Sequence, residues 1–159
     1  MTDEQTAKVA SLMKDIRFAM FTTIDGGGRY FSRPMANQKV EFDGDLWYFS
    51  ARDARKVAQL VAHPQVSVTM SSNDAWVSLN GTAEVVSDRA KIHELWNPVV
   101  GAWFPEGPDD ENIVLLKVNG QSAEYWDSPG GRVATLISLA KAKVTGQPYD
   151  GGENERVDL

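Results

Sequence analysis

The sequence predicts a mainly β domain, a small barrel or barrel-like antiparallel sheet with helices at its periphery. Three observations predict it. Short runs rich in β-branched and aromatic residues follow one another with brief connections between them. Turn signals at Asp25-Gly26, Asp43-Gly44 and Asn119-Gly120 imply hairpins, and hairpins imply antiparallel pairing. Helical spacing appears only at the start, after the fourth strand, near position 90 and at the end, not in alternation with strands as a Rossmann fold requires.

Taken in order, Thr2 and Gln5 form a capping box for a helix from about Asp3 to Asp15, striped by Val9, Leu12, Met13 and Ile16. RFAMFTTI (Arg17 to Ile24) reads as a strand ending in the Asp25-Gly28 turn. That turn is no phosphate loop, because Arg29 and Tyr30 enter a strand where Walker A demands Lys-Ser/Thr and a helix. The stretch from Arg29 to Ala51 reads as three further strands, broken near Met35 to Asn37 and at Asp43-Gly44. Pro34 cannot donate to a ladder, so its strand lies at an edge or is bulged there. In DLWYFSARDARKVAQLVAH (Asp45 to His63), Leu46, Tyr48 and Ser50 alternate with Trp47 and Phe49. From Ala54, Val57, Leu60 and Val61 take helical spacing, with Asp53 as the expected cap.

His63-Pro64 stops that helix. QVSVTMSS (Gln65 to Ser72) and AWVSLNGTAEVV (Ala75 to Val86) read as strands, the second with a kink or bulge at Gly81. Ser87 can cap a short helix carrying Ile92, Leu95 and Trp96, followed by a loop through Trp103 and Phe104. IVLLKVN and QSAEYWD read as two strands joined at Asn119-Gly120. A last helix from about Arg132 carries Val133, Leu136, Ile137, Ala140 and Val144. The reading is thus one domain over residues 1–146, with seven or eight strands, and an acidic, frayed tail over 147–159.

Composition narrows the chemistry. A length of 159 residues suits one domain with a sizeable core. The net charge of −6 opposes wholesale nucleic-acid binding but permits one basic pocket for a small phosphate. The absence of cysteine removes disulfides, thiol catalysis and Cys-ligated metals. The N-terminal residues are neither basic nor continuously apolar, and no run reaches the roughly 20 apolar residues of a membrane span, so a cytoplasmic protein is expected. His63 and His93 have no partner at metal spacing, and no serine sits in a nucleophile elbow. The acidic residues Asp109, Asp110 and Glu111 read as a solvated loop.

What remains is a basic and aromatic set. Arg52, Arg55 and Lys56 crowd a helix start, where the macrodipole disfavours cations. Either an anion bound at the free N–H groups compensates them, or they form a solvated corner. Arg33 precedes Pro34 on the expected edge strand. Trp47, Phe49, Trp76, Trp103 and Trp126 could stack on or enclose a planar ring, although aromatics on strands also build cores. A ligand with a phosphate at one end and a flat heterocycle at the other would use both halves.

Four stretches, SRPM (Ser32 to Met35), LWYFSARDARKV (Leu46 to Val57), AWFPEGPDD (Ala102 to Asp110) and AEYWD (Ala123 to Asp127), resemble in their order the FMN-binding split-barrel superfamily. Within it they resemble the general stress protein branch of the pyridoxamine-5'-phosphate-oxidase-like proteins, over about Thr6 to Gly146. The resemblance implies a six-stranded antiparallel Greek-key split β-barrel and a homodimer with FMN between the subunits, FAD or F420 being lesser alternatives. It places Arg33 on the FMN phosphate, with Pro34, Met35 and Ala36 along the ring. Phe49 and Ser50 would edge the flavin, and Arg55 and Lys56 would hold the phosphate. Trp103 and Trp126 complete the candidate contacts from the aromatic set. Relatives of this type carry a serine two residues before the lysine, where this chain has Ala54, so one hydroxyl contact to phosphate is missing. True pyridoxamine-phosphate oxidases end in a basic segment, whereas this chain ends ENERVDL, so that oxidation is not expected. The resulting expectation is an FMN-binding protein acting as a flavin-dependent oxidoreductase, or alternatively a non-catalytic flavin-binding or sensing module. A barrel whose cations face an acidic protein is the third reading.

Overall fold

The computed structural model describes residues 3–128, 131–146 and 152–159. Strands β1 (Phe18–Ile24), β2 (Tyr30–Ala36), β3 (Asp45–Ala51), β4 (Gln65–Ser71), β5 (Ala75–Val86), β6 (Ile113–Asp127) and β7 (Glu153–Asp158) form one antiparallel sheet. Its order is β2-β1-β4-β5-β6-β3, with β7 also on β6. Helices are α1 (Asp3–Met13), α2 (Arg55–Ala62), α3 (Arg89–Leu95), α4 (Pro98–Trp103) and α5 (Gly131–Thr145). The sheet is open between its end strands β2 and β3.

The expected antiparallel β architecture holds, but among the described residues the strands number seven and not six. The difference arises along β6. Residues Ile113 to Asn119 pair with β3, while Ser122 to Asp127 pair with β7, so those two strands share one side of β6 end to end. The acidic C-terminal segment expected to fray is therefore ordered over β7, with Val157 only 1% exposed in the core. One inward valine and a free ladder edge outweigh the acidic composition, because the charged residues of β7 all keep access to solvent.

Several sequence expectations fail for local reasons. Asn119-Gly120 is no hairpin, for β6 runs straight through it. The pair with β5 shifts register between Asn80 and Gly81, and Gly120 N–H donates to Gly44 O at 2.8 Å. A Cβ on Gly81 would lie 2.1 Å from Asn119 O, so glycine serves close backbone approach at a bulge. The segment between β2 and β3 supplies no third strand, because Tyr48 O–H donates to Asn37 Oδ1 at 2.8 Å and Phe42 turns into the core. The helix near position 90 is capped not by Ser87 but by Asp88, which accepts from Ala90 and Lys91 N–H. The following loop contains α4, capped by Asn97 with Pro98 at its first turn. The expected cap Thr2 lies outside the described residues, and α1 ends at Met13, short of Asp15.

Two apolar clusters explain the strand patterns. Phe21, Tyr48, Val68, Leu79 and Leu116 fill the main core under α1 and α2. Phe49, Ile113 and Leu115 face the other way, into a cluster covered by Ile92, Leu95 and Val100 of α3 and α4. Residues Ile113–Leu116 are thus buried on both faces, which is why that run is continuously apolar. On α2 only Val57 and Leu60 are buried; Val61, on the edge of the stripe, is exposed. Lys8 of α1 closes the far end, 2.6 Å from Asp127 and 3.6 Å from Glu153.

Candidate functional site

Of the two settings Pro34 allows, the structure has the edge: β2 ends the sheet, and its register with β1 is unbroken from Phe18↔Ala36 to Ile24↔Tyr30, so there is no bulge. Alternation then separates two neighbours. Arg33 pairs with Phe21 and faces inward; Pro34 pairs with Met20 and faces outward.

On the inward side Arg33 reaches the start of α2. Its Nη1 donates to Thr23 Oγ1 at 2.8 Å and to Phe21 O at 3.3 Å, and its Nη2 donates to Gln59 Oε1 at 3.3 Å. Burial holds the guanidinium below its ordinary pKa, and the charge of Arg55 adds to that. Lys56 is held low by burial first and then by Arg33. Arg55 stands 4.9 Å from the ring centroid of Phe31, a cation–π contact that steers it toward β2. Among the described residues no carboxylate pairs with Arg33, Arg55 or Lys56.

The helix itself adds positive potential. Ala54 occupies the cap of α2 and supplies no side-chain acceptor, and the first turn contains no acid. Asp53, the expected cap, is instead approached by Asn112 Nδ2 at 3.4 Å. The first-turn N–H groups thus lack a side-chain partner beside three cations, an arrangement suited to an anion carrying more than one charge. Arg52 is not part of it: its guanidinium donates to Glu111 O at 3.1 Å and to Ser87 Oγ at 3.3 Å.

Other expected site residues lie apart. Met35 and Ser50 are buried in the interior, Ser50 donating to Ala51 O at 3.0 Å. Phe49 packs edge-on to Trp96 at 5.8 Å, on the opposite face of β3 from Tyr48. Trp103 is exposed on α4. Trp126 pairs with Trp76 across β5 and β6, on the outward face. There Phe18, Met20, Pro34, Trp76 and Trp126 line an apolar hollow of about 350 Å³. One chain therefore gathers the cations but leaves the tryptophans elsewhere. Thr23 and Gln59, which hold Arg33, were not singled out from the sequence, because their role depends on β1 and α2 meeting.

The glycine turn after β1 is closed by its own acid. Asp25 Oδ1 accepts from Gly27 and Arg29 N–H, both at 2.9 Å, and the backbone bond from Arg29 is the main reason its carboxyl titrates low. The amides of Gly27, Gly28 and Arg29 are thus bonded within the turn itself rather than turned toward a phosphate.

Comparison with known proteins places this architecture. The model of pyridoxamine 5'-phosphate oxidase-like proteins matches residues 4–150. The chain belongs to that family. Protein bli-3 of Neurospora crassa is 30% identical over 158 residues, covering 92% of this chain and 76% of that protein. Among solved structures, a protein provisionally named general stress protein 26 from Jannaschia sp. CCS1 superposes with a TM-score of 0.80 at 28% identity, covering 99% of this chain and 100% of that one. A general stress FMN/FAD binding protein from Xanthomonas citri is 32% identical, with a TM-score of 0.68 over 79% of this chain and 90% of that one. The general stress branch of the split-barrel superfamily, expected from the four sequence stretches, is thus the right placement.

Proposed function

We propose that this pyridoxamine-phosphate-oxidase-like protein binds FMN as a homodimer, with the flavin phosphate held by Arg33, Arg55 and Lys56. The observation that carries the reading is the cluster of three cations, without carboxylate partners among the described residues, at an uncapped helix start. Such charge concentrations raise the energy of the free protein and are relieved by a bound anion. The separation of the cations from the apolar face of β2 supports a second copy, since one chain offers the phosphate end of a site without its aromatic wall. The name of the Xanthomonas citri relative supports a flavin over other phosphorylated heterocycles.

When bound, FMN would supply the redox chemistry, and the protein's own groups bind and orient it. Arg33 and the α2 start neutralise the phosphate; the backbone of β2 from Pro34 to Ala36 runs beside them at the open sheet edge. A non-catalytic flavin carrier is the second reading, since the residues assembled here bind the phosphate end and none of them is placed as a proton donor or acceptor to a ring. The test is an absorption spectrum of the purified protein with an FMN titration, followed by anaerobic addition of NADH and NADPH. Saturable FMN uptake is expected. A colourless protein that takes up no FMN would overturn the flavin reading, and bound flavin that neither nucleotide reduces would favour the carrier.

A further inference from the structure

We infer that Gln59, braced by Thr23, is the residue that positions Arg33 for an anion, and that its neutrality is what keeps the site cationic. The inference deepens the proposed phosphate site and rests on its cations acting on an anion.

The hydrogen-bond directions define the arrangement. Thr23 is 1% exposed, and its single hydroxyl proton goes to Gln59 Oε1 at 2.6 Å. Its oxygen is then an acceptor, which Arg33 Nη1 meets at 2.8 Å. Gln59 Oε1 takes a second bond, from Arg33 Nη2 at 3.3 Å. The guanidinium is thus held from its inner side by a hydroxyl, a side-chain amide and the Phe21 carbonyl, each an oxygen without net charge. Gln59 stands four residues after Arg55 and three after Lys56 on α2, so it shares their side of the helix and links it to β2.

A partly buried arginine is more often held by a carboxylate, which forms a stronger bidentate bond but cancels its charge. Glutamate at position 59 would reach the same atoms. It would steady the empty protein and consume the charge that an anion needs. A glutamine whose only role was to fill space would tolerate that exchange.

The experiment uses the full chain and two probes, inorganic phosphate and the FMN–riboflavin pair. Thermal melting is recorded against phosphate, with chloride at equal ionic strength as control, for wild type, Gln59→Glu and Gln59→Leu. Flavin affinities are measured by fluorescence quenching. Gln59→Glu is expected to melt at or above the wild-type temperature, to lose phosphate-dependent stabilisation, and to bind FMN at least about tenfold more weakly while riboflavin changes less than about twofold. Gln59→Leu removes the anchor without adding charge and should weaken FMN by a smaller factor, about threefold to tenfold. Parallel weakening of FMN and riboflavin, or a Gln59→Glu protein that responds to phosphate like wild type, would overturn the inference while leaving the flavin proposal intact. Phosphate stabilisation lost in Gln59→Glu, in a protein that takes up no flavin, would sustain the inference and remove the flavin proposal. A wild type blind to both phosphate and FMN removes both.

Discussion

Replacing Lys56 by methionine should move stability and ligand affinity in opposite directions. Lys56 is the second residue of α2, partly buried, and it faces Arg33 without a carboxylate partner among the described residues. Methionine retains the apolar stem and removes both the desolvated ammonium and its repulsion from Arg33. The ligand-free protein should therefore gain about 1 kcal/mol, or roughly 2–4 °C in Tm. In the complex one charge-assisted hydrogen bond is lost, about 1.5–3 kcal/mol, which is roughly a tenfold to 150-fold weaker Kd for FMN. Riboflavin lacks the phosphate and should bind as before. The pH dependence follows from the lowered lysine pKa: between that value and 10.5 the unfolded chain binds more protons than the folded one, so stability rises with pH there. Lys56→Met should flatten that rise. Parallel fluorescence titrations with the two flavins, and melting curves from neutral to alkaline pH, read all three effects. Equal weakening of both flavins, or a lower melting temperature in the variant, would show that Lys56 is a structural residue and refute the reasoning.

Three further predictions concern the fold. Gly81→Ala places a methyl against the Asn119 carbonyl and should cost about 3–5 kcal/mol in denaturant unfolding; a loss under about 1 kcal/mol would mean the bulge does not exist as described. Val157→Asp puts a carboxylate into the core at β7 and should lower Tm by many degrees, whereas a frayed tail would leave it unchanged. Tyr125 is pushed up to about 12 by burial and then by its bond to Glu153 at 2.7 Å. Between about pH 10 and 12 the folded state then holds a proton that the unfolded state releases, so its stabilising contribution is lost as pH rises; Tyr125→Phe should reduce that alkaline slope, and an unchanged slope would count against the assignment.

Much of the sheet was legible because side-chain period follows backbone geometry. The alternation of β5 reappears as an alternation of burial, and the opposite facing of Tyr48 and Phe49 separates the two cores as their spacing implied. The errors cluster where a residue type has two structural uses. Asn119-Gly120 suits a tight turn, but glycine also suits close backbone approach, and only the strand lying opposite distinguishes them. Ser87 and Asp88 are both capable caps; backbone direction at Asp88 chose.

The sequence by itself determined the β class, the restriction of Pro34 to an edge or a bulge, and the crowding of cations at the α2 start, because each follows from local covalent chemistry. Tertiary structure decided which cations lie near one another. Arg33 lies on β2 and Arg55 and Lys56 on α2, joined only when Thr23 and Gln59 meet between them. It also sent Trp126 to the outward face and drew the acidic C-terminus into the sheet as β7. Neither outcome is written in any short stretch, because a strand's partner and a side chain's neighbour are set by long-range packing of the whole sheet.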